Sequence, residues 1–587
     1  VSQSTQSGRP VPGAVRSRPD PAAGPDPAAG PDPAGGSAPT GEPASATGPE
    51  TVGTPSRRPG RGAVLALAGT VAALAAALTC QALVITRPGR LPGNAAVLYL
   101  ILLWWAVTLI AVAALSRLSS RAGTSRRLVV GLVLGGTLAV HAAALTSGPR
   151  LSDDLYRYAW DAKVQAAGID PYRYPTNSPA LARLHDGWLW PDPAGCAALR
   201  HAPGCSRINF VWAHTIYPPV AQLYFDAVHY LPGPDGVSPF QVCAALMSLA
   251  LTGLLLVATG RASRSPAIVA AYAWSPLAGV DIGIDAHVDV VAAVLSVAGL
   301  LVLGARRSTG PPGPGRAPAD ATAGRPSRRR AAAAGALLGA AIAVKLYPAL
   351  LLAAVARRRP TIVIPTAVGV VALSYLPHVL TVGSGTLGYL PRYLTSEGYT
   401  DGQRYRLLGL LGFSGQGAQV LAVALLAAAA AAAAWADPAR VGLPRAALWL
   451  VGAAFLLATP AQPWYGLQLV VLAVLAGRLE WLAVAAAPYV LYQSLFDRLA
   501  LPAHIARPGG YAIGALVVGL AACARLARAR RPAGAAPVSL VPVSRVPVGP
   551  GPAGAAGKVP AGAVAAVREA RTEASSRPEH ARTRSPG

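Results

Sequence analysis

AAVLYLILLWWAVTLIAVAAL, running from Ala95 to Leu115, carries no charged residue. A helix needs about 20 apolar residues to cross the hydrocarbon core of a bilayer. This run therefore reads as a membrane crossing by itself. Comparable runs lie on both sides of it, from Gly62 to Thr86 and from Phe240 to Thr259. The whole chain of 587 residues is 53% hydrophobic and only 13% charged, whereas a soluble chain carries about 25% charged residues. The expected fold class is an all-α polytopic membrane protein.

Two tails frame the apolar part. Segments 1–60 and 531–587 are rich in Pro, Ala, Gly and Arg. Repeats such as Pro-Asp-Pro-Ala-Ala-Gly cannot bury a core, so both tails are expected to be disordered. The first apolar run lies behind a long polar leader, which is not the layout of a cleavable signal peptide. The net charge is +26, but it does not point to nucleic acid. The arginines gather in the tails and at the ends of apolar runs, as the positive-inside rule predicts. No basic face with interleaved aromatics is visible in a compact domain.

Arginine asymmetry orients the runs. Arg57, Arg58 and Arg61 precede the first run, so the N-terminal tail is expected to be cytoplasmic. Arg117, Arg121, Arg126 and Arg127 place the next connection inside as well. The third run, roughly 128–147, then leads outward, and the stretch 148–238 becomes a large extracytoplasmic loop. Segment 267–304 goes out and back. Seven arginines in 305–330 mark a cytoplasmic loop. Arginine triplets bound 331–356 on both sides, at Arg328 to Arg330 and Arg357 to Arg359. A single crossing would strand one triplet outside, so this segment reads as a re-entrant pair broken near Lys345 to Pro348. A second outer loop follows at 381–413. The sum is about 12 spans plus the re-entrant pair, with both termini cytoplasmic.

Three polar clusters stand out, because charge near a bilayer is costly and commonly functional. The first is Ser152-Asp153-Asp154-Leu155-Tyr156-Arg157, just outside the third run. Paired carboxylates can act as a general base and its tuning partner; a solvated helix cap is the plainer alternative. The second is Asp281, Asp285, His287 and Asp289. It could carry protons, hold a polar substrate or bind a metal, although no metal-ligand spacing supports the last option. A solvated loop tip is the alternative. The third is Lys345-Leu346-Tyr347-Pro348. The lysine could snorkel, or it could face a cavity at a broken helix and hold a phosphate.

The outer loops supply further material. Loop 148–238 contains Tyr156, Tyr158, Trp160, Tyr172, Trp188, Trp190, Trp212 and Tyr217. Loop 381–413 contains Tyr389, Arg392, Tyr393, Tyr399, Arg404 and Tyr405. Aromatics can form a membrane-interface belt or stack on sugar rings. Cys196 and Cys205 lie nine apart in the first loop. A disulfide closing that small loop is expected in an oxidising compartment.

The stretch from Asp153 to Asp161, followed by Gln165 to Tyr172, resembles the first large loop of actinobacterial polyprenol-phosphate-mannose-dependent mannosyltransferases, of the GT-C class. Tyr217-Pro218-Pro219, Trp274 to Leu277 with Asp281 and His287 to Asp289, Lys345 to Pro348, and Pro463-Trp464-Tyr465 are similar to later motifs of that family, in the same order. The resemblance covers roughly 60–530. Ser275 stands where Asn is usual, Ala286 and Val288 flank His287 in place of Gly and Asn, and Gln462 stands where a His commonly precedes Pro-Trp-Tyr.

The resemblance implies a GT-C-like catalytic domain over 61–530 in the cell membrane, with an extracytoplasmic active site. It implies transfer with inversion of a sugar, mannose first, from a polyprenyl-phosphate donor to a cell-envelope glycan or glycolipid. Asp153 or Asp154 would be the base, with the family pattern leaning to Asp153. Lys345, Arg392 and Arg404, then Arg157 and His287, would hold the donor phosphate. Tyr217, Asp289, Tyr347, Trp464 and Tyr465 would line the substrate site. No cofactor is identified, and a divalent ion stays open. Glycines 409, 412, 415 and 417 follow no expected strand, so they form no phosphate loop for a nucleotide sugar. A glycolipid flippase and a related arabinosyltransferase are the alternatives.

Overall fold

The computed structural model describes residues 60–88, 91–304, 326–436, 441–496 and 502–530. The tails expected to be disordered lie outside the described residues apart from Gly60, as does most of the arginine-rich loop at 305–330. Among the described residues every regular element is a helix.

Among the described residues, seven helices are long and apolar enough to cross a bilayer. The helices named below, long and short, begin with α1 (Arg61–Thr86), α2 (Ala95–Ser119) and α3 (Arg126–Ala144). Next come α4 (Asp154–Ala166) and α5 (Pro219–His229), both short, then the long α6 (Ser238–Arg261). The chain continues through α7 (Asp289–Gly304), α8 (Arg328–Ile342), α9 (Pro360–Val382) and α10 (Gly415–Trp435). It ends with α11 (Leu443–Ala458), α12 (Gly466–Ala476), α13 (Leu482–Ser494) and α14 (Ala503–Ala529). A bent pair, Pro266–Ala273 with Leu277–Ile284, raises the number of spans to 8 if it is one crossing. The sequence led us to expect more. The difference lies in short apolar helices such as α7 and α11, each 16 residues long. Sixteen residues rise about 24 Å, less than the roughly 30 Å of a hydrocarbon core.

Local sequence explains the helix starts. Asn94 caps α2, its side chain accepting from the backbone N–H groups of Ala96 and Val97 at 3.1 and 3.4 Å. Ser125 and Ser327 cap α3 and α8 in the same way. The outer helices present leucine and valine to their surroundings: Leu65 and Val71 on α1, Leu516 and Leu520 on α14. An apolar exterior of this kind suits lipid rather than water.

Two tryptophans lock the centre of the bundle. Trp104 of α2 donates its indole N–H to the Trp274 carbonyl at 2.8 Å, and Trp274 donates to the Val133 carbonyl of α3 at 3.2 Å. Gly136 makes room for this, since a Cβ there would lie 2.2 Å from the Trp274 ring. The bent segment that carries Asp281 and Asp285 is thereby fixed against α2 and α3.

The stretch 327–358 turns back on itself. Helix α8 ends at Ile342, the chain breaks around Lys345, and it resumes at Tyr347–Ala349 and Leu350–Ala354. At one end of this hairpin Arg359 donates its Nε–H to the Pro326 carbonyl at 2.5 Å. At the tip the Ala343 carbonyl accepts from the Val220 N–H of α5 at 2.9 Å. Start and finish thus lie together, and Lys345 sits at the far point beneath the loop between α3 and α6.

That loop has its own small core of Trp160, Val164, Leu181, Leu189 and Ile208. Cys196 and Cys205 form the expected disulfide within it. Lys163 and Asp186 pair at 2.5 Å. Burial alone would push the Asp186 carboxyl up, but N–H donors from Leu189 and Trp188 and the Lys163 charge bring it below its ordinary range.

Candidate active site

The site assembles where the bent segment, the hairpin tip and both loops converge. Its first part is the start of α4. Asp153 occupies the cap position, yet its side chain makes no cap hydrogen bond. Ser152 does that work, its hydroxyl accepting from the Asp154 N–H at 3.2 Å. The carboxylate of Asp154, in the first helical turn, is therefore not consumed by capping. It lies 3.7 Å from Nδ1 of His287. Asp153 is exposed, whereas Asp154 is partly buried.

Asp285 sets this register. Its carboxylate accepts from the Arg150 N–H at 2.7 Å and from the Leu151 N–H at 3.2 Å. Tyr492 of α13 donates its hydroxyl to the Leu151 carbonyl at 2.7 Å. The chain leading into α4 is thus tied to the end of the bent segment, which brings His287 opposite Asp154. Asp281 lies deeper and accepts from the Tyr489 hydroxyl. The four polar residues at 281–289 therefore divide between positioning and the centre itself. Among the described residues, no group of three or more His, Cys, Asp or Glu is arranged to hold a metal.

His287 lies in the connection between the bent segment and α7. Its ring stacks on Trp464 with centroids 3.8 Å apart. Its Nδ1 also lies 3.4 Å from the Tyr158 hydroxyl. Burial pushes the imidazole well below its usual range, and the Lys345 charge adds to this. The histidine is accordingly neutral at neutral pH. His287 Nε2 and Trp464 Nε1 are buried and have no hydrogen-bond partner among the described residues. Buried polar groups left in this state are costly unless something completes them.

The cation side is built around Lys345. Its ammonium lies 3.3 Å from the Asp289 carboxylate, and 5.2 Å from the ring centres of both Tyr217 and Tyr465. Tyr347 donates its hydroxyl to Asp289 at 3.1 Å. An ammonium has three donors, so Asp289 leaves capacity for an anion. The Lys345 charge reaches both His287 and Asp289, and the Asp154 charge reaches Asp289.

The three arginines considered for the donor phosphate are placed differently. Arg157 is buried and pairs with Asp161 at 2.8 Å, also donating to the Ala213 carbonyl at 3.2 Å. Arg404 is buried against Glu397, and donates further to the Ala458 carbonyl at 3.0 Å and to Gln462 at 3.3 Å. Gln462 in turn donates to Glu397 at 3.0 Å. Arg392 lies over the ring of Trp212, 4.3 Å from its centre. Lys345 is the cation that stands at the centre.

Thr215 joins the two loops. Its hydroxyl donates to Asp161 at 2.5 Å, and its carbonyl accepts from the Tyr389 N–H at 3.3 Å. The second loop comes this close because residue 388 is glycine. Gly388 has φ +54°, and a Cβ on it would lie 1.9 Å from the Thr215 carbonyl oxygen. Gly388→Ala is expected to destabilise the junction by about 2 kcal/mol through strain. Protease cleavage within 383–414 should speed up in proteoliposomes; an unchanged cleavage rate would count against this junction.

Sequence reasoning did not single out Tyr158, Glu397, Tyr393 or Tyr492 as parts of the site. Tyr158 was within reach, since it lies four residues after Asp154 and so on the same helix face. Glu397 and Tyr492 had no local signal.

Residues 215–460 match the family model for glycosyltransferase family 87. That range contains Tyr217, His287, Asp289, Lys345, Tyr347, Arg392 and Arg404; Asp153, Asp154 and Arg157 precede it, and Trp464 and Tyr465 follow it. No curated protein matches the chain, and no solved structure does. Over these 215–460 residues the chain is similar to glycosyltransferase family 87, a GT-C-type membrane family, and this supports glycosyltransferase activity in a helical membrane protein.

Proposed function

We propose that the protein moves a sugar, mannose first, from a polyprenyl-phosphate donor to a glycan or glycolipid acceptor at the extracytoplasmic face of the cell membrane. The observation that carries this reading is the pairing of an acid and a cation in one centre. Asp154 stands beside a neutral His287, and Lys345 stands at the hairpin tip among Tyr217, Tyr347 and Tyr465.

In the proposed step an acceptor hydroxyl attacks the anomeric carbon of the donor sugar. Asp154 takes the hydroxyl proton as the new C–O bond forms. The bond from the anomeric carbon to the phosphate oxygen breaks, and its electron pair leaves with polyprenyl phosphate. Attack and departure on opposite faces invert the anomeric centre. Lys345 meets the charge that grows on the leaving phosphate, where a preorganised cation is most effective. The family pattern leans to Asp153 as the base. Exposure of Asp153 and the placement of Asp154 against His287 favour Asp154 instead.

A test uses membranes containing the full chain and two donors, radiolabelled polyprenyl-phosphate-mannose and radiolabelled GDP-mannose. Transfer to lipid-extractable glycan is expected from the first in membranes stripped of soluble factors, and none from the second. Transfer from GDP-mannose alone would overturn the lipid-donor reading. Replacing the donor by polyprenyl-phosphate-arabinose distinguishes the arabinosyl alternative.

A further inference from the structure

We propose that Phe210, Trp212, Tyr389 and Arg392 form a saccharide-binding platform that holds the acceptor glycan chain as it enters the transfer centre. The proposal rests on reading that centre as one that extends a glycan. It adds a second binding site, outside the centre, built jointly by the two loops.

The four side chains form one cluster. Phe210 and Trp212 meet edge to face at 6.0 Å, Trp212 and Tyr389 at 5.4 Å, and Phe210 stacks with Tyr389 at 6.3 Å. Arg392 lies 4.3 Å from the centre of the Trp212 ring. Phe210 remains 58% exposed and Trp212 43% exposed. Flat, half-exposed rings of this kind match the C–H face of a pyranose or furanose. A guanidinium beside them supplies planar donors for the hydroxyls around the sugar's rim.

The platform is held rigidly. Phe210 adopts φ +46°, a left-handed conformation that a bulky residue seldom takes. The turn that enforces it is fixed at three points. The Phe210 carbonyl accepts from the Ala213 N–H at 2.8 Å, and the Val211 carbonyl accepts from the Asn177 N–H at 2.9 Å. The Ala213 carbonyl accepts from Arg157, whose charge is anchored on Asp161. A buried ion pair thus holds an exposed, strained phenylalanine in place. Strain of this kind gathers at binding sites.

The platform also leads inward. Tyr389 neighbours Tyr393 at 6.4 Å, and the Tyr393 hydroxyl lies 3.1 Å from that of Tyr465. Tyr465 is one of the rings beneath Lys345. A chain of tyrosine contacts therefore links the exposed cluster to the cation. A membrane-interface belt would use Trp and Tyr with their polar tips toward water. Here the most exposed ring is a phenylalanine, and an arginine covers the indole.

The test uses the full chain in lipid nanodiscs and two tritiated probes, a linear α-mannohexaose and a linear arabinofuranosyl hexasaccharide. Wild type is expected to bind at least one of them. Trp212→Ala and Tyr389→Ala should each weaken that binding roughly tenfold, the scale of one lost aromatic contact. Arg392→Ala should weaken it about threefold. Trp435→Ala, which removes an exposed tryptophan far along the sequence, should leave it unchanged. In discs with brominated acyl chains, the fluorescence difference between wild type and Trp212→Phe should show no quenching. Absence of binding to wild type, equal losses in Trp435→Ala, or quenching of Trp212 by brominated tails would each overturn the platform. Oligosaccharide binding with the expected losses but no transfer from a polyprenyl-phosphate-linked sugar would overturn the donor reading alone.

Discussion

Asp154→Asn is expected to lower sugar transfer by about 10³-fold, the usual scale for removing a positioned general base. The substitution keeps size and shape, so the surroundings of His287 should persist. It also spares the helix start, because Ser152 rather than an aspartate caps α4. Loss of the first-turn charge should cost only about 0.5 kcal/mol of helix stability. The fall in rate would therefore report chemistry rather than unfolding. Asp153→Asn, at the exposed neighbour, should lower transfer less than about tenfold, since a charge this open to solvent is well screened. Single-turnover transfer from radiolabelled polyprenyl-phosphate-mannose separates the two, with donor binding measured in parallel. A larger loss in Asp153→Asn would reverse the assignment. Small losses in both would remove the acidic pair from the mechanism.

The sequence carried much of this architecture, and the reasons it stopped short are physical. Apolar runs such as 95–115 declare a bilayer because no soluble helix can afford so many lipid-facing leucines. The hairpin was legible from its flanking arginine triplets, and the chain does break around Lys345. The number of crossings was not legible in the same way. Gln462-Pro463 and Gly477 cut the apolar C-terminal stretch into helices such as the 11-residue α12, and hydropathy alone reads through such breaks. At the site, the acidic pair and Lys345 stood out as charges in an apolar chain. The fate of the arginines depended on partners. The pairing of Arg157 with Asp161 follows the i, i+4 rule and could have been read from α4. The pairing of Arg404 with Glu397, with Gln462 bridging them, needed the fold. So did the meeting of Trp212 with Arg392, which depends on the bare backbone of Gly388 against Thr215.

Lys345→Met should be doubly damaging, and the two effects can be pulled apart. Among the described residues, the buried Asp289 loses its counter-cation and keeps the Tyr347 hydroxyl. Removing one partner of a buried pair costs about 3 kcal/mol, because the remaining charge has no water to return to. In the proposed step the lysine meets the charge on the leaving phosphate, so transfer should fall about 10²-fold or more. Both losses could arise from misfolding alone if only the single variant were made. The double variant Lys345→Met/Asp289→Asn removes the stranded charge together with the cation. Its stability, followed as the thermal midpoint in detergent, should return to within about 1 kcal/mol of wild type by the logic of a double-mutant cycle. Its transfer rate should stay low, since an amide beside a methionine offers no cation to the phosphate. Recovery of stability without activity assigns Lys345 to the transfer step. Recovery of both together would make the Lys345–Asp289 pair a strut of the hairpin tip, and the phosphate would then need another cation.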